Sequence, residues 1–139
     1  MKYLRSALFA LGLLLAVSAT QAQELRVKAQ IPFDFAVGNR VLPAGEYMVV
    51  PEGNSGQAIL IRSNDGKASA LSITLSCAAS GSADTTRLVF RTVAGRYFLS
   101  QIWAQGYDQG RQLPMSKTEV QLAKNHTTEE FVLAANLIQ

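Results

Sequence analysis

The chain has 139 residues, with 13 Lys and Arg against 10 Asp and Glu, one His and one Cys. One His and one Cys cannot assemble a zinc site of the usual kind within one chain, and a single Cys leaves no internal disulfide. The small positive balance of +3 gathers into no basic stripe, which argues against a nucleic-acid surface.

Lys2 and Arg5 precede an apolar run from Leu8 to Val17, and the small residues Ser18, Ala19, Thr20 and Ala22 follow. That order of basic, apolar and small segments predicts a secretory signal peptide over 1–22. Cleavage after Ala22 fits best, with cleavage after Ala19 as the alternative. The run is too short to span a membrane and no second one follows, so no membrane span is expected in the mature chain. No Cys stands directly after the run, so no lipoprotein anchor is expected. Loss of Lys2 and Arg5 leaves 11 basic against 10 acidic residues, a balance of +1, so the basic character belongs partly to the targeting segment. The remaining stretch, 23–139, is expected to form one domain able to bury a core without staples.

From Leu25 to Val37 the pattern is period two, with Ile31, Phe33, Phe35 and Val37 on one face. It predicts a half-buried strand, with Pro32 at an edge, bulge or strand start. Asp34, between two Phe, is expected to point to solvent. Gly38-Asn39-Arg40 and Leu42-Pro43-Ala44-Gly45 read as turns. Glu46 to Pro51 is a strand, broken by Glu52-Gly53-Asn54-Ser55-Gly56. Gln57 to Arg62 is another. Ser63-Asn64-Asp65-Gly66 turns the chain into Lys67 to Leu75, with Leu71, Ile73 and Leu75 expected inward and Ala70, Ser72 and Thr74 facing the other way. The small residues from Ala78 to Asp84 read as the segment with most freedom before the C-terminal region.

Arg87 to Trp103 is the centre of the chain: two dense runs of β-branched, aromatic and aliphatic residues around Ala94-Gly95, the pattern of a β-hairpin. Strict alternation would put Phe98 and Ile102 on one face of the second strand, and Tyr97, Leu99 and Trp103 on the other. Both faces are apolar, so the strand is expected to be central and covered twice. In the first strand the Val89, Arg91 and Val93 face is less apolar and reads as partly wet. Ser116-Lys117-Thr118-Glu119 is a capping box that predicts a short helix over 117–124, with Val120, Ala123 and Lys124 toward the domain. Residues 127–138 suit a last strand better than a helix. About seven short strands, separated by turn signals, predict an all-β sandwich or small barrel with one helix added.

Four segments together, Ile31-Pro32-Phe33-Asp34-Phe35, Leu42-Pro43-Ala44-Gly45-Glu46-Tyr47, Arg96 to Trp103, and Gly110-Arg111-Gln112-Leu113-Pro114, resemble a family of small exported β proteins of soil bacteria. The resemblance spans most of the mature chain and implies a secreted β domain. No activity is known for that family, so it contributes no functional residues.

Cys77, among small and apolar neighbours, reads as a packed residue rather than a reactive thiol. A Cys77/His126 nucleophile–base pair or a serine triad through His126 would lack any recognisable motif. The carboxylates Asp34, Glu46, Asp65, Asp84 and Asp108 are candidates for paired-carboxylate hydrolysis by residue type alone. No phosphate-binding loop is present, and no metal or cofactor set is expected. The remaining constellation is Trp103, Tyr107, Asp108 and Arg111, at the end of the central hairpin and in its following loop, where binding residues commonly sit. Its structural alternative is a core Trp103 and a loop that merely connects. The sequence points to an exported, non-catalytic β domain that binds or serves structurally in the envelope or outside the cell, with an unidentified partner. A small carboxylate-dependent hydrolase is the alternative. A small outer-membrane barrel is a further one, disfavoured by short strands and a chain that ends Leu137-Ile138-Gln139 without an aromatic.

Overall fold

The computed structural model describes residues 26–78 and 83–138. The expected signal segment and most of the expected Ala78–Asp84 loop lie outside them. Among the described residues the strands are β1 (Val27–Ile31), β2 (Phe35–Val37), β3 (Arg40–Leu42), β4 (Gly45–Glu52), β5 (Ala58–Ser63), β6 (Ser69–Ile73), β7 (Leu75–Ala78), β8 (Arg87–Val93), β9 (Arg96–Trp103), β10 (Gln109–Gln112), β11 (Thr128–Ala134) and β12 (Asn136–Leu137), with one helix, α1 (Lys117–Ala123). They form a two-sheet sandwich and no closed barrel. One sheet runs β12-β1-β4-β5-β6; the other runs β11-β8-β9-β10-β7, with β2 beside β9 and β3 beside β2. No helix among the described residues is long and apolar enough to cross a membrane.

Several of the strands read as single in the sequence are divided between the sheets. The predicted strand over Leu25–Val37 breaks at Pro32, which has no N–H to give to a ladder; β1 stays in the first sheet and β2 joins the second. The Asp34 side chain, exposed as expected, accepts a hydrogen bond from the Ala44 N–H at 2.9 Å and so ties this crossing to the next turn. The strand from Lys67 to Leu75 also crosses sheets. At its corner Thr74 is fully buried, and its N–H and its hydroxyl both donate to the Gln57 carbonyl, at 2.8 and 2.6 Å. Residues 127–138 form β11 and β12, again one strand in each sheet.

The core between the sheets collects Val27, Ala29, Ile31, Phe35, Tyr47, Val49, Ile59, Ile61, Leu88, Phe90, Leu99 and Ile102 among others. Tyr47 donates its hydroxyl to the Pro43 carbonyl at 2.6 Å, and burial, with Asp65 and Asp34 nearby, pushes its pKa up. Phe33 stacks on Tyr97 with ring centres 3.7 Å apart and meets Phe131 edge-on, closing the flank near β11.

The expected inward face of β6 is reversed. Leu71, Ile73 and Leu75 are 62%, 58% and 66% exposed, whereas Ala70 and Thr74 are buried. The turn after β5 sets the register: buried Ile61 lies opposite Ala70, and Leu60 opposite Leu71. A one-residue change of phase turns every side chain over, so the turn decides and the apolar content yields.

The β8–β9 hairpin forms as predicted, around Ala94-Gly95, but β9 does not alternate throughout. Val89 pairs with Gln101 and Phe90 with Leu99, leaving Ser100 as an extra residue, a β-bulge. Tyr97, Leu99 and Ile102 therefore share the core face. Phe98 packs on the outer face with Ala36, Val93 and Leu122, and Trp103 packs there with Val89, Ala83 and Cys77. The strand is covered on both sides, yet Phe98 and Ile102 are on opposite faces. The bulge falls where β9 changes neighbour, from β2 at Tyr97 and Phe98 to β10 at Gln101 and Ile102.

The Val89, Arg91 and Val93 face is not wet. Val89 and Val93 are buried, and α1 lies over Arg91 through Glu119, whose side chain is 2% exposed. Ser116 caps α1 by accepting from the Glu119 N–H at 3.2 Å, but the Glu119 carboxylate turns inward to Arg91 rather than back to the cap. That rotation puts Leu122 against the sheet and leaves Val120 42% exposed and Lys124 exposed, contrary to the capping-box reading.

Candidate functional site

Three of the four residues singled out after the central hairpin come together at one open end of the sandwich. Tyr107, Asp108 and Arg111 line a cleft of about 320 Å³, together with Gln109 and Ile102 from the same sheet and Val49, Val50, Pro51, Gly56 and Ile59 from the other. The volume lies at the small end of the range of ligand pockets. Ile59 and Ile102 belong to the core between the sheets, so the floor of the cleft is the packed apolar interior.

Trp103 belongs elsewhere. It is 6% exposed on the outer face, where its indole N–H donates to Gln101 Oε1 at 2.9 Å and Arg87 lies 5.2 Å over the ring. Its ring sits so close to Gly110 that a Cβ there would come within 2.8 Å of it. Trp103 thus fixes β10 from behind, and only a residue without a side chain lets it do so.

The loop that carries Tyr107 is held by backbone pairing. Ala83 donates to the Tyr107 carbonyl at 2.9 Å and accepts from the Gly106 N–H at 3.1 Å, and Gln105 N–H donates to Thr86 Oγ1 at 3.0 Å. Gly106 takes φ +87°, a left-handed conformation that side chains rarely adopt. Tyr107 and Arg111 are half-buried and Asp108 is exposed.

Arg111 reaches from β10 across the mouth. One guanidinium nitrogen donates to Ser76 Oγ at 3.3 Å, and another lies 3.6 Å from where a Cβ of Gly56 would stand, on the loop between β4 and β5. Among the described residues no carboxylate is within ion-pairing distance of Arg111; the pairs present are Lys28 with Glu46 and Arg91 with Glu119.

The acidic candidates are scattered. Asp34 holds the Ala44 N–H, Glu46 pairs with Lys28 at 2.6 Å, and Asp65 accepts from Ser63 and Lys67 within its turn. Among the described residues Asp108 alone of the acidic ones lines the cleft. Among the described residues no three His, Cys, Asp or Glu side chains gather where they could hold a metal. His126 is exposed, with Nδ1 3.0 Å from the Leu122 carbonyl. Cys77 is half-buried against the Trp103 cluster, and that burial pushes its thiol pKa up.

The sequence offered no sign of the opposite wall. Val49, Val50, Pro51 and Ile59 look like ordinary strand residues, and only the pairing of two sheets brings them across from Arg111. Comparison with protein-family models, with curated proteins and with solved structures finds no match to the chain.

Proposed function

We propose that the protein is an exported, non-catalytic β-sandwich domain that binds a small, partly apolar ligand in the cleft at the open end between its sheets. One observation carries this reading: Tyr107, Asp108 and Arg111, on a loop and strand pinned by Ala83 and Thr86, face the apolar residues Val49, Pro51 and Ile59 across one cavity. Apolar walls with a few fixed polar groups are the usual composition of a small-molecule site. Export is supported by the order of Lys2, Arg5, Leu8–Val17 and the small residues that follow.

Protein recovered from outside the cytoplasm, analysed by mass spectrometry, is expected to begin at Gln23, or at Thr20 if cleavage follows Ala19; intact Met1 on a cytoplasmic protein overturns export. For binding, the neutral apolar dye Nile red is expected to gain fluorescence with the folded protein. Pro51→Glu, at a half-buried position on the inward face of β4 opposite Ile59, should abolish the gain without lowering the melting temperature appreciably. Absence of any gain with the wild-type protein, or a gain unaffected by Pro51→Glu, overturns the cleft as a binding site.

A further inference from the structure

We propose that the cleft selects anionic amphiphiles, molecules with an apolar tail and a carboxylate-type head; the inference rests on the cleft being a binding site. The tail would lie along Pro51 and over the floor that Val49, Ile59 and Ile102 close, and the head would meet Arg111 at the mouth. A guanidinium offers five N–H donors in a planar fork that matches a carboxylate. Among the described residues Arg111 uses one of them, on the neutral hydroxyl of Ser76. Its charge is left without an acidic partner, although Asp108 lines the same cleft.

The two rim charges have different settings. Arg111 is half-buried, with one guanidinium nitrogen on Ser76 Oγ and another beside the bare backbone of Gly56. Asp108 is exposed, and no hydrogen bond holds its side chain to the described residues. A half-buried charge is screened less by water and salt than an exposed one. Arg111 therefore sets the sign of the preferred head group, and Asp108 weakens that preference.

Octanoate, octanol and octylamine share a tail and differ in head-group charge, so titrating each against ¹⁵N- and methyl-labelled protein separates tail from head. Octanoate is expected to bind at least tenfold more tightly than octanol or octylamine, with shifts at Val49, Ile59 and Ile102. Arg111→Gln should erase the octanoate advantage and leave octanol unchanged, and Arg111→Lys should restore part of it. Asp108→Asn should tighten octanoate and not octanol. Equal binding of all three probes, or preference for octylamine, overturns anion selection while leaving the cleft a binding site. No shift at the cleft with any probe overturns both readings.

Discussion

The carboxylate of Glu119 and the guanidinium of Arg91 meet side-on beneath α1: Nη2 donates to Oε1 at 3.1 Å, Nε donates to Oε2, and Nη1 reaches Ser100 Oγ at 2.6 Å. The bulged residue of β9 is thereby part of the helix anchor. Removing one member of a buried pair leaves the other charge uncompensated, which costs about 3–5 kcal/mol. Glu119→Ala is expected to lose that much in urea denaturation. The double replacement Arg91→Met with Glu119→Leu should recover most of it, because neither charge then remains buried.

Ala94 sits at φ 53° and Gly95 at φ 73°, so both residues of the hairpin turn are left-handed. Such a turn matches the twist of the flanking strands and favours Asn-Gly. Alanine in the left-handed region costs roughly 1–2 kcal/mol. Ala94→Asn should therefore stabilise the protein by about 1 kcal/mol, read as a higher denaturant midpoint with an unchanged slope.

Asp65 organises the β5–β6 turn. Ser63 Oγ donates to Asp65 Oδ1 at 2.6 Å and the Lys67 N–H donates to the same oxygen at 3.0 Å. The Ser63 bond first, and the Lys67 bond after it, hold the carboxyl pKa below its ordinary value. A depressed folded value means that the stabilisation is complete above the ordinary carboxylate range and is lost as pH falls through the folded value. The melting temperature of the wild type should exceed that of Asp65→Asn at neutral pH, and the gap should narrow as the pH falls below the ordinary carboxylate range and through the folded value. A gap independent of pH would show that the charge plays no part.

Leu71 and Ile73 project from the outer face of the first sheet, with Leu71 beside Leu60 and Leu60 beside Val50. Replacing both Leu71 and Ile73 with Thr should change stability by no more than about 0.5 kcal/mol each, as exposed substitutions do. Loss of several kcal/mol would place them inside.

The parts of this fold legible in the sequence are those set by local chemistry. The Ala94-Gly95 hairpin, the Ser116 cap and the turn at Asp65 each announce themselves over a few residues. What lay beyond reach depends on partners distant in the chain. Ser100 looks like any alternating strand residue until β8 is laid beside it, and the phase of Leu71 follows from Ile61 across a turn. Of the site, the loop with Tyr107, Asp108 and Arg111 was visible as a cluster of binding residue types. Trp103 was grouped with it by sequence proximity, whereas the position of the bulge sends its ring to the opposite face. The wall at Val49, Pro51 and Ile59 has no signal, because it exists only where the two sheets oppose one another.

Val27 at the start of β1 is paired with Leu137 in β12, and the Ile138 N–H donates to the Arg26 carbonyl at 2.9 Å. The described chain begins and ends in adjacent strands. Val27 and Leu137 are 110 positions apart (137 − 27), so the first sheet is complete only when distant parts of the described chain meet. Closing so long a loop is entropically costly, and contacts of this kind slow folding. The local hairpins can therefore form before β12 reaches β1, and the pace at which this sheet closes is set by its most distant pair of strands.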